Sequence, residues 1–574
     1  MKRRTVFLWL TLFTAAAAFL RLYAITEVGI YDLDEGLYLV DAHAKWNEWH
    51  LCAELAQRKW DEMRGGPELL MAKELPKLRD ALASETVFAG KHLYYYLIAF
   101  IMLFTGPVVW SGILIDAVAG IGSVWLIYAF VKRLYSQRAG LIAAGITTFS
   151  AYHVFYSRRV YGTAIIAFLF MAALYCHLRA VRCRDDGGSI RSQRLWLVAC
   201  GAFAGLCFII NFQIAVLLPV LALVHVFTCV RFGGGTAAEI GCTESRTKAS
   251  LRWLIGGGLC VLLGFAMPIA CMEAASYPLI LLFRSQGLQY PHGTFLELVT
   301  PKLTSHLGHA FYWSGFVLLP FFISVLEGMP ALVLCVALPI LALITLRKTT
   351  VSRRTRARTI IYLGCWFLIP FLIFSSKTPQ SSRVFVNCLP PLFAALAVCA
   401  DATWSYAGPR RAFARAAVAL LLAAAGISSL VHNVELLRMR SAFPDVMRWL
   451  ASTPERGASA PYGLVLLSYL RQYGLPGGSY TTYITYGTEP PPYFVTDRTE
   501  LWDKQYPDTS VFVPEGAHPV KRFEHRFGRI LLEAGAFPPE GNPLDNIRWV
   551  RGLDLTRSRQ VLVYDIRTWE KRMP

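Results

Sequence analysis

The chain keeps returning to apolar runs of roughly 20 residues, the length a helix needs to cross the hydrocarbon core of a bilayer, and short Lys and Arg clusters punctuate these runs. That recurrence constrains the fold more than any motif. Of 574 residues 55% are hydrophobic and 17% charged, and the mean hydropathy is +0.42, which excludes an ordinary soluble enzyme and indicates an integral membrane protein. The formal charge of +19 does not point to nucleic acid, because the cations sit between apolar runs as they do in cytoplasmic loops. The 13 cysteines stop at Cys399 and show neither a CxxC pair nor metal-ligand spacing, so neither a disulfide framework nor a zinc site is expected.

The alternation of runs and basic clusters predicts a polytopic α-helical protein with about 11 spans and a cytoplasmic N-terminus. The first run follows Met-Lys-Arg-Arg, and Arg21 stands where a signal peptide would need small residues, so it reads as an uncleaved span over about 6–25. Residues 26–107 then lie outside as a long first loop. Further spans fall at about 108–130, 139–155, 161–178, a pair within 195–230, 253–272, 330–346, 359–374, 384–403 and 413–431. With that count the major basic clusters, "RKTTVSRRTRAR" and "GPRRAFAR" among them, fall inside. The apolar segment 93–105 is read as an interfacial helix in the outer leaflet, because a further crossing would move every later basic loop outside. The expected membrane is the cytoplasmic (inner) one.

Two domains are expected, a membrane domain over 1–434 and a soluble extracytoplasmic α/β domain over 435–574, where long apolar runs vanish. Within the second, "YGLVLLSYL" and "RQVLVYDIR" read as strands and "RILLEAGAF" as a short helix.

"YDLDEGLYLVDA" places Asp32, Asp34 and Glu35 directly after the first span. Asp34 could cap a helix beginning at Glu35, with Asp34, Tyr38, Asp41 and Lys45 on one face, and a solvated polar face is the plain reading of that segment. Lys91, Arg158, Arg159, Lys377 and Arg383 fall near the outer boundary, where the positive-inside bias does not account for them. Cations there suit an anionic ligand such as phosphate, or simply reach toward lipid headgroups.

These segments carry a resemblance to the GT-C fold membrane glycosyltransferases. "YDLDEGLYLVDA" resembles the Asp-Glu motif of their first external loop and "GKHLYYYLIAF" their Lys-Pro-Pro-Leu-Tyr-Tyr segment. "SAYHVFYSRRVYG" is similar to the Ser-Arg motif of the second external loop, and "FSSKTPQSSRVFVNCLPPL" to the Ser…Lys…Arg-Tyr…Pro segment of the protein mannosyltransferase and aminoarabinose transferase branch. The likeness covers spans 1–10, in order. It implies a donor consisting of one sugar on a polyprenyl phosphate, and an acceptor that is a lipid, an envelope glycan or a protein. Carried over by position, Asp34 becomes the general base with Glu35 supporting it, and Lys91, Arg158, Lys377 and Arg383 hold the donor phosphate. Transfer with inversion follows from a base on the far side of the anomeric carbon.

The chain departs from the pattern in three places. Lys-His replaces Lys-Pro-Pro, Val384 and Phe385 follow Arg383, and "RRVYGTAII" lacks the acid that commonly follows the Ser-Arg motif. Asp32-Leu33-Asp34 imitates a metal-binding Asp-x-Asp without a second acidic cluster, so a metal-independent reaction with no cofactor is favoured over a divalent metal. His306 and His309 have helical spacing but no further ligand, and are read as interfacial. The competing class is a transporter or flippase of lipid-linked intermediates, which would place ionisable groups near the bilayer midplane, where Asp116 is the clear acid. A third, a membrane scaffold with a binding ectodomain, predicts no coordinated set of outer acids and cations.

Overall fold

The structure is a computed structural model that describes residues 3–30, 33–62, 92–211, 215, 217–232, 246–285, 315–345, 351–375, 382–406, 408–460, 464–479, 491–497, 513, 516–527, 548 and 560–568. Among the described residues eight helices are long and apolar enough to cross a membrane, beginning at Arg3, Trp110, Thr163, Ile190, Ser250, Arg353, Ser382 and Arg411. They coincide with eight of the expected spans. Where the other three were expected lie shorter helices, over residues 137–157, 218–232 and 329–345.

The elements that position the site run as follows. Helix α1 (Arg3–Leu22) is followed by the single turn α2 (Ile25–Val28), the long α3 (Leu33–Glu62) and α4 (His92–Thr105). Then come α5 (Trp110–Leu134), α6 (Gln137–Phe149), the seven-residue α7 (Ala151–Ser157) and α8 (Thr163–Asp185). The bundle continues through α9 (Ile190–Ile210), α10 (Leu218–Phe232), α11 (Arg246–Ser285), α12 (Gly315–Leu326), α13 (Met329–Thr345) and α14 (Arg353–Ser375). A 3-10 turn over Ser382–Cys388 leads into α15 (Leu389–Trp404), and α16 (Arg411–Leu437) closes the bundle. The span expected over 253–272 lies within a helix that runs on to Ser285.

Helices α5 and α8 share both ends. At one end the Asp116 carboxylate of α5 accepts from the Gly162 and Ile165 amides, at 2.8 and 3.0 Å, and so serves the free donors that open α8. At the other, Arg182 donates to the Arg133 carbonyl at 2.7 Å. Asp116 and Arg133 lie about 26 Å apart along α5. Asp116 also accepts from the Tyr94 hydroxyl of α4 at 2.7 Å. The acid that a transporter reading would use is therefore committed to a helix start. Gly162 has φ +69°, a left-handed conformation open to glycine at low cost.

Two buried arginines close helix ends nearby. Arg21 of α1 donates to the Thr147 and Thr148 carbonyls at 3.1 and 3.3 Å, while Arg158 Nη1 donates to the carbonyls of Leu20, Arg21 and Tyr23 at 3.0, 3.3 and 2.9 Å. Each supplies donors to carbonyls left open at a helix C-terminus, where positive charge also meets the negative end of the helix dipole.

The C-terminal region forms a five-stranded sheet in the order β2-β1-β3-β5-β4, from β1 (Ala458–Ala460), β2 (Gly477–Ser479), β3 (Tyr493–Asp497), β4 (Lys521–Glu524) and β5 (Gln560–Asp565). β1 pairs in parallel with β2 and β3, and β5 pairs antiparallel with β3 and β4. The strand expected from "RQVLVYDIR" is β5. "YGLVLLSYL" is instead covered from Leu464 by a helix, α18 (Leu464–Tyr473), which follows α17 (Phe443–Ser452). Its buried residues Val465, Leu466, Tyr469 and Leu470 repeat at helical spacing, which the apolar run concealed. "RILLEAGAF" lies outside the described residues.

Helix α18 docks the sheet onto α3. Tyr469 accepts the Ile30 amide at 3.0 Å, Ser468 donates to the Gly36 carbonyl at 3.2 Å and Arg471 to that of Val40 at 3.3 Å. A Cβ on Gly29 would meet Ser441 at 2.3 Å and the Tyr469 hydroxyl at 2.4 Å, so the linker into α3 passes only as glycine. The sheet therefore sits at the same end of the bundle as Asp34.

Candidate functional site

Helix α3 begins at Leu33, two residues earlier than expected, so Asp34 lies in its first turn. Its carboxylate pairs with Arg383, which enters from the 3-10 turn ahead of α15. Consecutive helical residues point about 100° apart, and Glu35 accordingly turns into the protein. Glu35 Oε2 meets Arg159 Nη2 at 2.6 Å and Oε1 accepts the Val160 amide at 2.9 Å. The two pairs differ in access. Asp34 and Arg383 are 32% and 33% exposed, whereas Glu35 and Arg159 are 0% and 2% exposed.

Tyr161 joins the pairs. The Arg159 guanidinium lies 5.5 Å from its ring centroid and that of Arg383 5.4 Å, both within cation–π range. Two acids that are neighbours in sequence thus each hold one arginine, and both arginines rest on one aromatic ring. An anion that draws Arg383 away from Asp34 raises the proton affinity of that carboxylate.

Arg158, expected among the phosphate ligands, is 3% exposed and its Nη1 serves the carbonyls at the end of α1. Lys91 and Lys377 lie outside the described residues, as do Asp32, His306 and His309. Among the described residues no group of three or more His, Cys, Asp or Glu side chains converges on one point.

The sequence places Arg159 among the outer cations without a role for it, and nothing in it singles out Tyr161. The Arg158-Arg159 doublet contains no signal for which guanidinium turns toward α3. Nor does Ser382 announce itself, although Tyr152 donates to its carbonyl at 2.6 Å and Tyr156 pairs with its hydroxyl. These bonds hold the residue next to Arg383.

An apolar cavity of about 400 Å³ lies beside α7, lined among others by Phe13, Ile142, Leu334, Phe393 and Leu422, with Ser150, Glu327 and Ser429 as its polar edge. Tyr152 borders it and also reaches Ser382.

A family model described as dolichyl-phosphate-mannose-protein mannosyltransferase matches residues 92–232. YycA of Bacillus subtilis (strain 168), provisionally classed as a mannosyltransferase, is 32% identical over 106 residues, 18% of this chain and 14% of that protein. The chain thus matches only a small part of that relative's length. Among solved structures, ArnT from Cupriavidus metallidurans aligns with a TM-score of 0.53 at 14% identity, covering 90% of this chain and 96% of that one. The chain has the GT-C fold of membrane glycosyltransferases. A second GT-C structure, the oligosaccharyltransferase of Archaeoglobus fulgidus, aligns with a TM-score of 0.51 at 11% identity, covering 88% of this chain and 71% of that one. ArnT has also been crystallised with undecaprenyl phosphate. Within this GT-C chain, the family-model match begins at α4 and contains Arg158, Arg159 and Tyr161, but neither Asp34 nor Arg383.

Proposed function

We propose that the protein transfers a single sugar from a polyprenyl-phosphate donor to an acceptor, a lipid, an envelope glycan or a protein, at the extracytoplasmic face of the cytoplasmic membrane. The Asp34–Arg383 pair, one-third exposed at one end of a GT-C bundle, carries this reading. Arg383 turns from Asp34 to the donor phosphate, aided by Lys91 and Lys377, with Arg158 adding charge from its fixed place at the end of α1. Asp34, released, takes the proton of the acceptor as the acceptor atom bonds to the anomeric carbon. The bond from that carbon to the phosphate oxygen breaks, and the electron pair leaves with the polyprenyl phosphate, whose charge the arginine offsets. Attack from the side opposite the leaving group inverts the anomeric centre. Glu35 supports the site by keeping Arg159 and the loop at Val160 in place.

The reaction is proposed to need no metal. The apolar cavity beside α7 supports a lipid substrate, since its lining suits a hydrocarbon chain rather than a free nucleotide sugar. ArnT's binding of undecaprenyl phosphate supports the same donor class. The C-terminal sheet, docked on α3 beside the site, is the proposed contributor to acceptor choice.

The test is sugar release from undecaprenyl phosphates carrying single sugars, using the purified protein. Asp34→Asn should lower turnover by about 10²–10⁴, the range a positioned general base supplies. A folded Asp34→Asn protein with full turnover would refute the base role.

A further inference from the structure

Glu327 occupies the turn between α12 and α13 and is 6% exposed. A carboxylate so placed loses its water and needs several donors in return. It has them from two sides. Oε1 accepts the Tyr152 amide at 2.9 Å and the Ser150 hydroxyl, and Oε2 accepts the Ala151 amide at 3.1 Å and the Ser429 hydroxyl of α16 at 2.5 Å. The neighbouring Ser428 hydroxyl donates to the Glu327 carbonyl at 2.8 Å. One acid therefore ties the start of α7 to α16.

Helix α7 has seven residues, too few to hold itself by its own hydrogen bonds. Its free first-turn amides are met by Glu327 and, at His153, by the Ser150 hydroxyl at 3.1 Å. The same helix sends the Tyr152 and Tyr156 hydroxyls to Ser382, at the carbonyl and the side chain respectively. Ser382 opens the 3-10 turn whose next residue is Arg383. Such turns have poor hydrogen-bond geometry and depend on outside anchors. An unbroken series of bonds thus runs from Glu327 through α7 and two tyrosines to the backbone that carries Arg383.

We propose that Glu327 is a positioning residue, fixing α7 so that Tyr152 and Tyr156 hold Arg383 where it meets both Asp34 and the donor phosphate. The proposal rests on Arg383 as the phosphate ligand, and its test separates the two ideas. The probe is undecaprenyl phosphate, with its Kd measured in detergent for the full-length protein and for Glu327→Gln, Arg383→Ala and the double variant. A misplacement on the order of 1 Å can cost up to 10²-fold in a positioned interaction. Glu327→Gln should weaken binding about tenfold in the wild-type background and less than twofold when Arg383 is already alanine. Tyr156→Phe, which removes one hydroxyl and leaves α7 packed, should reproduce a smaller loss with the same dependence on Arg383, and it serves alone if Glu327→Gln does not fold. Equal losses in both backgrounds would show a general structural role and overturn the proposal. Full affinity in Arg383→Ala would instead overturn the phosphate assignment and the proposal together.

Discussion

An aspartate meets arginines at both ends of the bundle, and the two meetings are built differently. At the end of α8, Asp185 is 9% exposed and gathers Arg358, Arg354 at 2.9 Å and Arg184 at 3.7 Å. Arg358 is 2% exposed, and the Arg184 guanidinium lies 4.2 Å from the Trp253 ring, which stacks on His225. Three arginines gather on the one acid, with Arg354, 43% exposed, at the rim and the Asp185–Arg358 pair buried. At the other end Asp34 pairs with Arg383, and the two are 32% and 33% exposed. Excess cations at one end need only the topology bias to explain them. An accessible pair whose acid is itself exposed has a partner that a passing anion can take.

Exchanging the damage between the two ends breaks this comparison if it is wrong. Arg383→Ala should cut turnover about 10²–10³-fold, the loss seen when one donor to a developing oxyanion is removed, while shifting the thermal midpoint in detergent little. Asp185→Asn should do the opposite, strongly lowering the midpoint because Arg358 is left buried beside a neutral group, with turnover per folded molecule retained. Turnover and melting measured on both variants decide it. A pattern reversed from this one would place the working site at the Asp185 end.

The adjacent carboxylates sharpen the contrast within the site. Glu35→Gln leaves Arg159 with a neutral partner at a fully buried position and should destabilise the protein by about 3 kcal/mol. Asp34→Asn, at a pair one-third exposed, should cost about 1 kcal/mol or less. Melting of the two single variants measures the difference. Equal destabilisation would mean that Asp34 is as structural as its neighbour.

The membrane plan was readable because its signal is length and composition, and eight of the eleven expected spans are continuous helices. The motif segments were readable too, and Asp34 does meet Arg383 across 349 residues of sequence. What the sequence concealed was direction. Asp34 and Glu35 read alike until the helix turns one outward and one inward. Arg158 and Arg159 likewise part company, one to the carbonyls ending α1 and the other to Glu35. Asp116 reads as a mid-span acid and nothing in the sequence singles out Glu327, yet both serve free amides at helix starts. Such amides belong to a segment distant in sequence, so no local pattern announces them. The α18 error has a related cause: an almost uninterrupted apolar run has no period, and only docking against α3 selects the helix.

That docking gives the smallest expected effect, and it asks whether the sheet and the site are one unit. On α3, His43 Nδ1 accepts from Asn47 at 3.2 Å and faces Arg471 of α18 at 3.4 Å. Burial first, and the Arg471 charge second, lower its pKa to about 4 from the ordinary 6.5. The folded state thus favours the neutral ring. As pH falls from about 6.5 toward 4 the unfolded chain binds a proton that the folded one refuses, so the contribution is full above 6.5 and is lost through that window. The thermal midpoint should therefore drop more between pH 7 and pH 4.5 for the wild type than for His43→Gln, whose side chain can still accept from Arg471 without titrating. Carboxylates that titrate in both proteins cancel in that difference. Superimposable profiles would mean that His43 adds nothing to the hold of α18 on α3, which then rests on the bonds of Tyr469, Ser468 and Arg471 to backbone.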